Sequence, residues 1–305
     1  MHPTPPDNAE FGAGLALSDF THLGWDQHDK QPAALAAALR QRMPTLPADA
    51  DGAAAIGLAE HLALAHLHDT SALAALLDSL PAELGVHADT AAAVAKARWA
   101  QAVTADREPP PGLADAPRWR ALQNVWTHRV AQGRATEAAA QLTHEVAAAL
   151  AHPEPAARRA LAATCNNLAL GLREGPRGDP AVDALMLGAA GASRDIWAGV
   201  GTWVHVERAD YQLARCHAAL GHGDEARAFG QAVLDALQAQ ADSPEADDFE
   251  WFFGHEAMAW ACRTAGDAGA AAEQRALMQA RCPKVADAEL RDWCEQALAA
   301  YDGAS

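Results

Sequence analysis

The stretch LGHGDEARAFG, Leu220–Gly230, carries G-x-G-x-x-A, one form of the dinucleotide-binding fingerprint. In that fingerprint a strand runs into the first glycine and a helix leaves the last position, so that backbone N–H groups cradle a pyrophosphate. Here the preceding residues, ADYQLARCHAAL, contain no Val, Ile or Thr, and Leu213, His217 and Leu220 stand at helical spacing. The following Ala226, Phe229, Val233 and Leu237 are spaced as a helix face too. A glycine ending one helix in the left-handed conformation, with Asp224 capping the next, accounts for the stretch without a nucleotide. It reads as the turn of a helical hairpin.

The rest of the chain agrees. Half of its 305 residues are hydrophobic, but the apolar content is mostly Ala and Leu and only 6% of residues are aromatic. Ala and Leu are the strongest helix formers, and the alternating Val, Ile and Thr runs that mark strands are missing. The fold is expected to be all-α. No 18-residue apolar span occurs, and neither a P-loop nor G-x-S-x-G is present. The formal charge of −17 repels nucleic acid and anionic membrane, so neither is expected as a partner. The N-terminal sequence lacks the basic and apolar regions of a signal peptide. Five cysteines, Cys165, Cys216, Cys262, Cys282 and Cys294, make an odd set with no C-x-x-C. Together these predict a reduced, cytoplasmic protein.

Four regions follow from the pattern. Residues 1–30, rich in Pro, Gly, Asp and His, read as an irregular tail, with Phe11, Phe20 and Trp25 able to fold it back. Residues 31–106 carry four helical segments: Gln31–Met43, Asp51–His68, a short one to Leu80 capped by Asp69, and His87–Asp106. Residues 107–117, REPPPGLADAP, cannot continue a helix and form a linker or loop. In residues 118–305 helices come in pairs. The pairs are Arg118–Gln132 with Ala135–Ala151, Pro155–Glu174 with Asp179–Val200, Trp203–Leu220 with Asp224–Gln240, and Ala246–Ala265 with Ala268–Arg281. Ala286–Tyr301 is left as a terminal capping helix. Gly133, Gly221 and Gly266 each close a first helix, and each has an alanine five residues on: Ala138, Ala226 and Ala271. Gly221 and Gly266 are 45 residues apart, a period that fits long helix pairs.

On these residues the chain resembles the tetratricopeptide-repeat family. In HEAMAWACRTAGDAGAAAEQRALMQARCP, Met258 and Ala259 fall in the Leu-Gly slots, Ala271 in the second-helix Ala slot and Pro283 in the closing Pro slot. Leu213, Ala214 and Ala226 match in the preceding unit. His255, Asp210 and Leu122 stand in the Trp slot, Arg275 and Gly230 in the large Phe slot, and Trp126 at a small one. ATCNNLALGL, Ala163–Leu172, is similar to the N-N-L-A first helix of kinesin-light-chain repeats. The resemblance covers roughly residues 118–281. It implies an α-solenoid of antiparallel hairpins whose first helices line a concave groove, and a role in binding a protein or peptide rather than in catalysis.

In such an array the candidate groove residues are Arg120, Gln123, Asn124, Asn166, Asn167, Arg208, Tyr211, Gln212 and Arg215. Amides both donate and accept, so they can hold a peptide backbone without reading its sequence. Arginine gives bidentate contact to a carboxylate. The pattern therefore suits an extended peptide, acidic or ending in its C-terminus. Asn166 and Asn167 are adjacent and point about 100° apart, so one can face the groove while the other bridges helices. The cluster EWFFGHEAMAW, Glu250–Trp260, reads first as core packing, because nine tryptophans in an Ala-rich chain must fill space somewhere. The acidic run Asp242–Glu250 reads as a solvated loop and helix start, with Asp242 or Ser243 as cap.

Metal ligands and cofactors are not expected. His61, His66 and His68 share one predicted helix at spacings of five and two, where α-helical chelation wants three or four. His144-Glu145 and His255-Glu256 lack the later histidine of H-E-x-x-H, Ala148 and Ala259 standing there. Two other classes stay open: a helical enzyme or metal protein using His205, Glu207, His255 and Glu256, and a sensor for a small ligand or signal peptide. A homo-oligomer is also open.

Overall fold

The structure, a computed structural model, describes residues 11–304. Fourteen α-helices and no strands occur among the described residues. In chain order the first six are α1 Leu17–Gln27, α2 Pro32–Arg42, α3 Ala50–His61, α4 Thr70–Asp78, α5 Ala91–Thr104 and α6 Asp115–Ala131. The rest are α7 Ala135–Ala151, α8 Pro155–Glu174, α9 Pro180–Val200, α10 Trp203–Ala219, α11 Gly223–Ala239, α12 Asp248–Thr264, α13 Ala268–Arg281 and α14 Ala288–Gly303. No described helix is long and apolar enough to cross a membrane. All five cysteines are buried and unpaired. The chain divides into two compact units, Met1–Ala138 and Ala139–Ser305, and the division falls inside α7 rather than at the proline stretch.

Local chemistry sets the helix starts. Asp49, Asp69, Asp179, Asp247, Asp267 and Asp287 each accept a backbone N–H of the first turn. Pro32, Pro155 and Pro180 open α2, α8 and α9, where a missing N–H costs nothing. Two expected caps are different. Asp224 lies inside the first turn of α11 and gives no side-chain cap bond. Asp247, not Asp242 or Ser243, caps α12, because it alone of the acidic run reaches Phe249 N and Glu250 N.

The first unit departs from expectation twice. The irregular tail holds helix α1, whose Phe20 is fully buried; the first ten residues of that tail lie outside the described residues. The segment expected as one helix to His68 widens after His61 into a π-helical turn, Leu62–His66. There Leu67 N bonds Leu62 O, five residues back, and Asp69 N bonds Ala63 O, six back. His68 then takes a positive φ of 51° and ends the element.

In the second unit α8 packs on α9, α10 on α11 and α12 on α13. Each second helix also packs on the next first helix, α9 on α10 and α11 on α12, and α10 touches both α8 and α12. The turn glycines Gly221 and Gly266 have φ of +79° and +77°, the left-handed region that an L side chain enters at a cost of about 1–2 kcal/mol. Ala226, Ala214 and Ala259, expected where helices cross, are fully buried. Gly230 stands where the resemblance would have a large side chain, and a Cβ there would lie 3.4 Å from the Met258 backbone. The α12 backbone therefore already stands in van der Waals contact with that position.

Candidate functional site

Residues of α8, α10 and α12, with Trp293 of α14, line a cavity of about 330 Å³ in the second unit. α8 contributes Asn166, Leu170 and Arg173, spaced four and three apart and so on one face. α10 contributes Glu207, Arg208, Tyr211 and Gln212, two i, i+4 pairs side by side. α12 contributes Phe249, Glu250 and Phe253.

One wall is aromatic. Phe253 meets Tyr211 edge-on at 5.7 Å and Phe249 at 4.9 Å between ring centroids, and Phe249 lies 6.5 Å from Trp293. Trp293 is half exposed at 51%. The cluster expected as core therefore splits. Phe252 is fully buried, Phe253 faces the cavity, and Trp251 and Trp260 lie under the guanidinium groups of Arg281, Arg215 and Arg263.

The cavity is also lined by charged groups. Glu207 and Glu250 are both buried here, and among the described residues Glu207 Oε2 has no hydrogen-bond partner. Burial first, and the neighbouring Glu250 carboxylate second, push Glu207 up to about 9, so it keeps its proton at neutral pH. Glu250 also accepts from Arg208, through Nε at 3.0 Å and through Nη2. Among the described residues this leaves the Nη1 edge of Arg208 open, on a side chain that is 59% exposed. Arg173 Nη1 donates to Gln212 Oε1 at 3.1 Å and so orients that amide. With Glu207 neutral, the cavity holds two guanidinium groups against one carboxylate.

A second cavity of about 310 Å³ shares Arg173 and adds Arg215, Arg263 and Trp260. Thus α8, α10 and α12 each supply one arginine to it. Arg215 pairs with the buried Glu256, which also accepts from Tyr211 Oη at 2.6 Å and Trp260 Nε1 at 3.1 Å. Arg263 donates to Tyr301 O at 2.7 Å and lies 3.5 Å over the Tyr301 ring.

The nine residues named from sequence fall in different places. Asn166, Arg208, Tyr211 and Gln212 meet in the first cavity, and Arg215 lines the second. Asn166 is half-buried, and no described residue takes its side-chain amide. Asn167, about 100° round the helix, is exposed and has a partner of its own. Arg120, Gln123 and Asn124 belong to the first unit. Arg120 is exposed and Gln123 is half-buried with a partner. Asn124 is not a groove residue: it is 6% exposed, and its amide is spent on Glu60 and His61.

The residues considered for chemistry do not converge. His205 is used in the Thr202 capping box and stacks on Trp197. His255 bonds Gln274 and stacks on Trp251. Glu250, expected in a solvated run, is buried because α12 starts two residues before it and turns it inward. Arg173, Phe249 and Trp293 went unremarked in the sequence. For Glu250 a signal existed: it lies 42 residues from Arg208, close to the hairpin period. In comparisons with known proteins, no family model, no curated protein and no solved structure matches the chain.

Proposed function

We propose that the second unit is a binding module that grips an extended peptide segment of a partner protein, with the hairpins α8–α13 stacked as a tetratricopeptide-like solenoid. The segment it suits carries a carboxylate, from an acidic side chain or a C-terminus, next to a large apolar or aromatic residue. The observation that carries this is the unpartnered Asn166 amide in a cavity that also holds Arg173 and the open edge of Arg208, with Phe249, Phe253 and Trp293 as its apolar wall. Such a cavity offers an amide for the backbone, guanidinium groups for the carboxylate and ring faces for the side chain. A net positive pocket in a chain of charge −17 also gives an acidic segment a local reason to bind there.

An arrayed peptide library probed with the purified protein tests this. Peptides pairing Asp, Glu or a free C-terminus with Phe, Trp or Leu are expected to be enriched. Asn166→Ala combined with Arg208→Ala is expected to weaken them about tenfold or more, since a bond to a charged group contributes about 1.5–3 kcal/mol. Unchanged affinities in the double variant would show that the peptides bind elsewhere.

A further inference from the structure

The first unit holds a second constellation. One nitrogen from each of His28, His61 and His66 can be chosen so that all three lie within 4.8 Å of one another. They come from separate points of the fold: the C-cap of α1, the last residue of α3 and the end of the π-helical turn. An i→i+5 turn brings residues five apart onto one face. The spacing that argued against chelation on an α-helix is therefore the correct one here. His61 Nε2 and His66 Nε2 are 3.1 Å apart. Two nitrogens at 2.0–2.1 Å from a tetrahedral ion would be about 3.3 Å apart.

The surroundings fix which nitrogens face inward. Glu60 is fully buried and pairs with Lys96 at 3.1 Å. Asn124 donates from Nδ2 to Glu60 Oε1 at 2.9 Å, which turns its Oδ1, an acceptor only, to His61 Nδ1 at 2.8 Å. His61 thus carries its proton on Nδ1 and presents a bare Nε2. His28 Nδ1 is likewise engaged by the Trp25 carbonyl. No described residue takes His28 Nε2 otherwise. Holding the outer nitrogen of a histidine with a carbonyl or amide oxygen is how ligating imidazoles are oriented.

We propose that His28, His61 and His66 bind one divalent transition-metal ion, zinc by its donor set, leaving a fourth position open to water or a small ligand. Three neutral imidazoles with an open place suit zinc and its first-row neighbours, while calcium and magnesium want oxygen ligands. All three residues are half-buried. The competing arrangement is a plain imidazole–imidazole hydrogen bond from His66 to His61, which uses neither His28 nor an ion.

The test uses untagged full-length protein stripped with a chelator, passed through gel filtration and titrated with zinc alone. One zinc per chain is expected by calorimetry and elemental analysis. Cobalt in its place is expected to give the visible bands of a four-coordinate ion. His28→Ala with His66→Ala should weaken zinc at least 100-fold, and Asn124→Leu about 10- to 100-fold through the lost orientation of His61. His22→Ala with His144→Ala, which removes exposed rings outside the cluster, should leave stoichiometry and affinity unchanged. Circular dichroism of each variant separates loss of binding from loss of fold. His28 sits at the edge of α1, so its single replacement by Ala serves if the double variant unfolds. Zinc bound equally well without His28 and His66, or no stoichiometric zinc in the wild type, overturns the proposal.

Discussion

Each unit buries a glutamate and supplies it with a cation from a neighbouring helix, but the two networks end differently. In the second unit Glu256 of α12 takes Arg215 and Tyr211 of α10 and Trp260 of its own helix, and each of its oxygens carries one of the bonds to α10. In the first, Glu60 of α3 takes Lys96 of α5 and Asn124 of α6, and Asn124 passes the contact on to His61. One network closes on itself and is structural. The other hands its last hydrogen bond to a ring whose second nitrogen faces two more histidines. A buried charge therefore says little about function until its chain of partners is followed to the end.

The largest expected effect breaks the closed network. Glu256→Ala leaves Arg215 buried without its carboxylate, and removing one partner of a buried pair costs about 3–5 kcal/mol. Glu60→Ala should cost less, because Lys96 can swing its flexible ammonium toward water while Arg215 is held by Tyr211 and the Trp260 ring. Urea unfolding of both variants measures the order. If Glu60→Ala proves the more damaging, the two networks are not the open and closed pair described here. Glu60→Ala should also weaken zinc if the orientation of His61 depends on it, whereas Glu256→Ala should leave zinc alone.

A smaller effect concerns the hairpin turns. A Cβ on Gly223 would lie 2.8 Å from the Ala265 Cα, a backbone atom that cannot step aside. Gly223→Ala is therefore expected to cost about 1–3 kcal/mol, as overpacking does. Gly57, on α3 in the first unit, has nothing within 4 Å of such a Cβ, and Gly57→Ala should be neutral or slightly stabilising. Thermal melts of the two variants compare a turn fixed by its neighbours with an open helix position.

The same contrast decides what was legible in the sequence. The hairpin helices show in the spacing of Leu213, Ala226, Val233 and Leu237 and in the Gly-to-Ala interval, because each helix buries one regular face. Their observed ends lie within two residues of the sequence reading, except that α6 starts three residues earlier, at Asp115. Asn166, Arg208, Tyr211 and Gln212 were legible as one face of successive first helices. Glu250 and Glu256 were not, although Arg208–Glu250, Tyr211–Glu256 and Arg215–Glu256 span 42, 45 and 41 residues. Polar residues paired across a hairpin period satisfy one another inside the stack, and reading helices one at a time cannot show that. The convergence of His28, His61 and His66 is not legible in the sequence for a different reason. The rings converge because the backbone widens by one residue per turn at Leu62–His66, and spacing rules assume that it does not. α1 was missed because its short amphipathic stretch sits among Pro, Gly and Asp, and tertiary burial of Phe20 outweighs that composition.

The smallest expected effect is a slope against pH rather than a loss. Glu207 titrates near the ordinary 4.5 in the unfolded chain and at about 9 in the folded one, through burial and the Glu250 charge. Below pH about 4.5 both states hold the proton and the group is silent. Between there and about 9 the unfolded chain releases it and the folded chain does not, so this residue lowers stability as pH rises. Glu207→Gln keeps the size and polarity of the side chain and removes the titration. The variant should match the wild type near pH 4.5 and exceed it by about 1–2 kcal/mol at pH 8, a fraction of the full shift because Glu250 and Arg208 relax with it. Urea melts across that range read the difference. Parallel curves would mean that Glu207 is ionised at neutral pH, and the cavity would then carry two carboxylates against two guanidinium groups. An acidic peptide would lose its electrostatic reason to bind there, and the second unit would suit a neutral or basic segment instead.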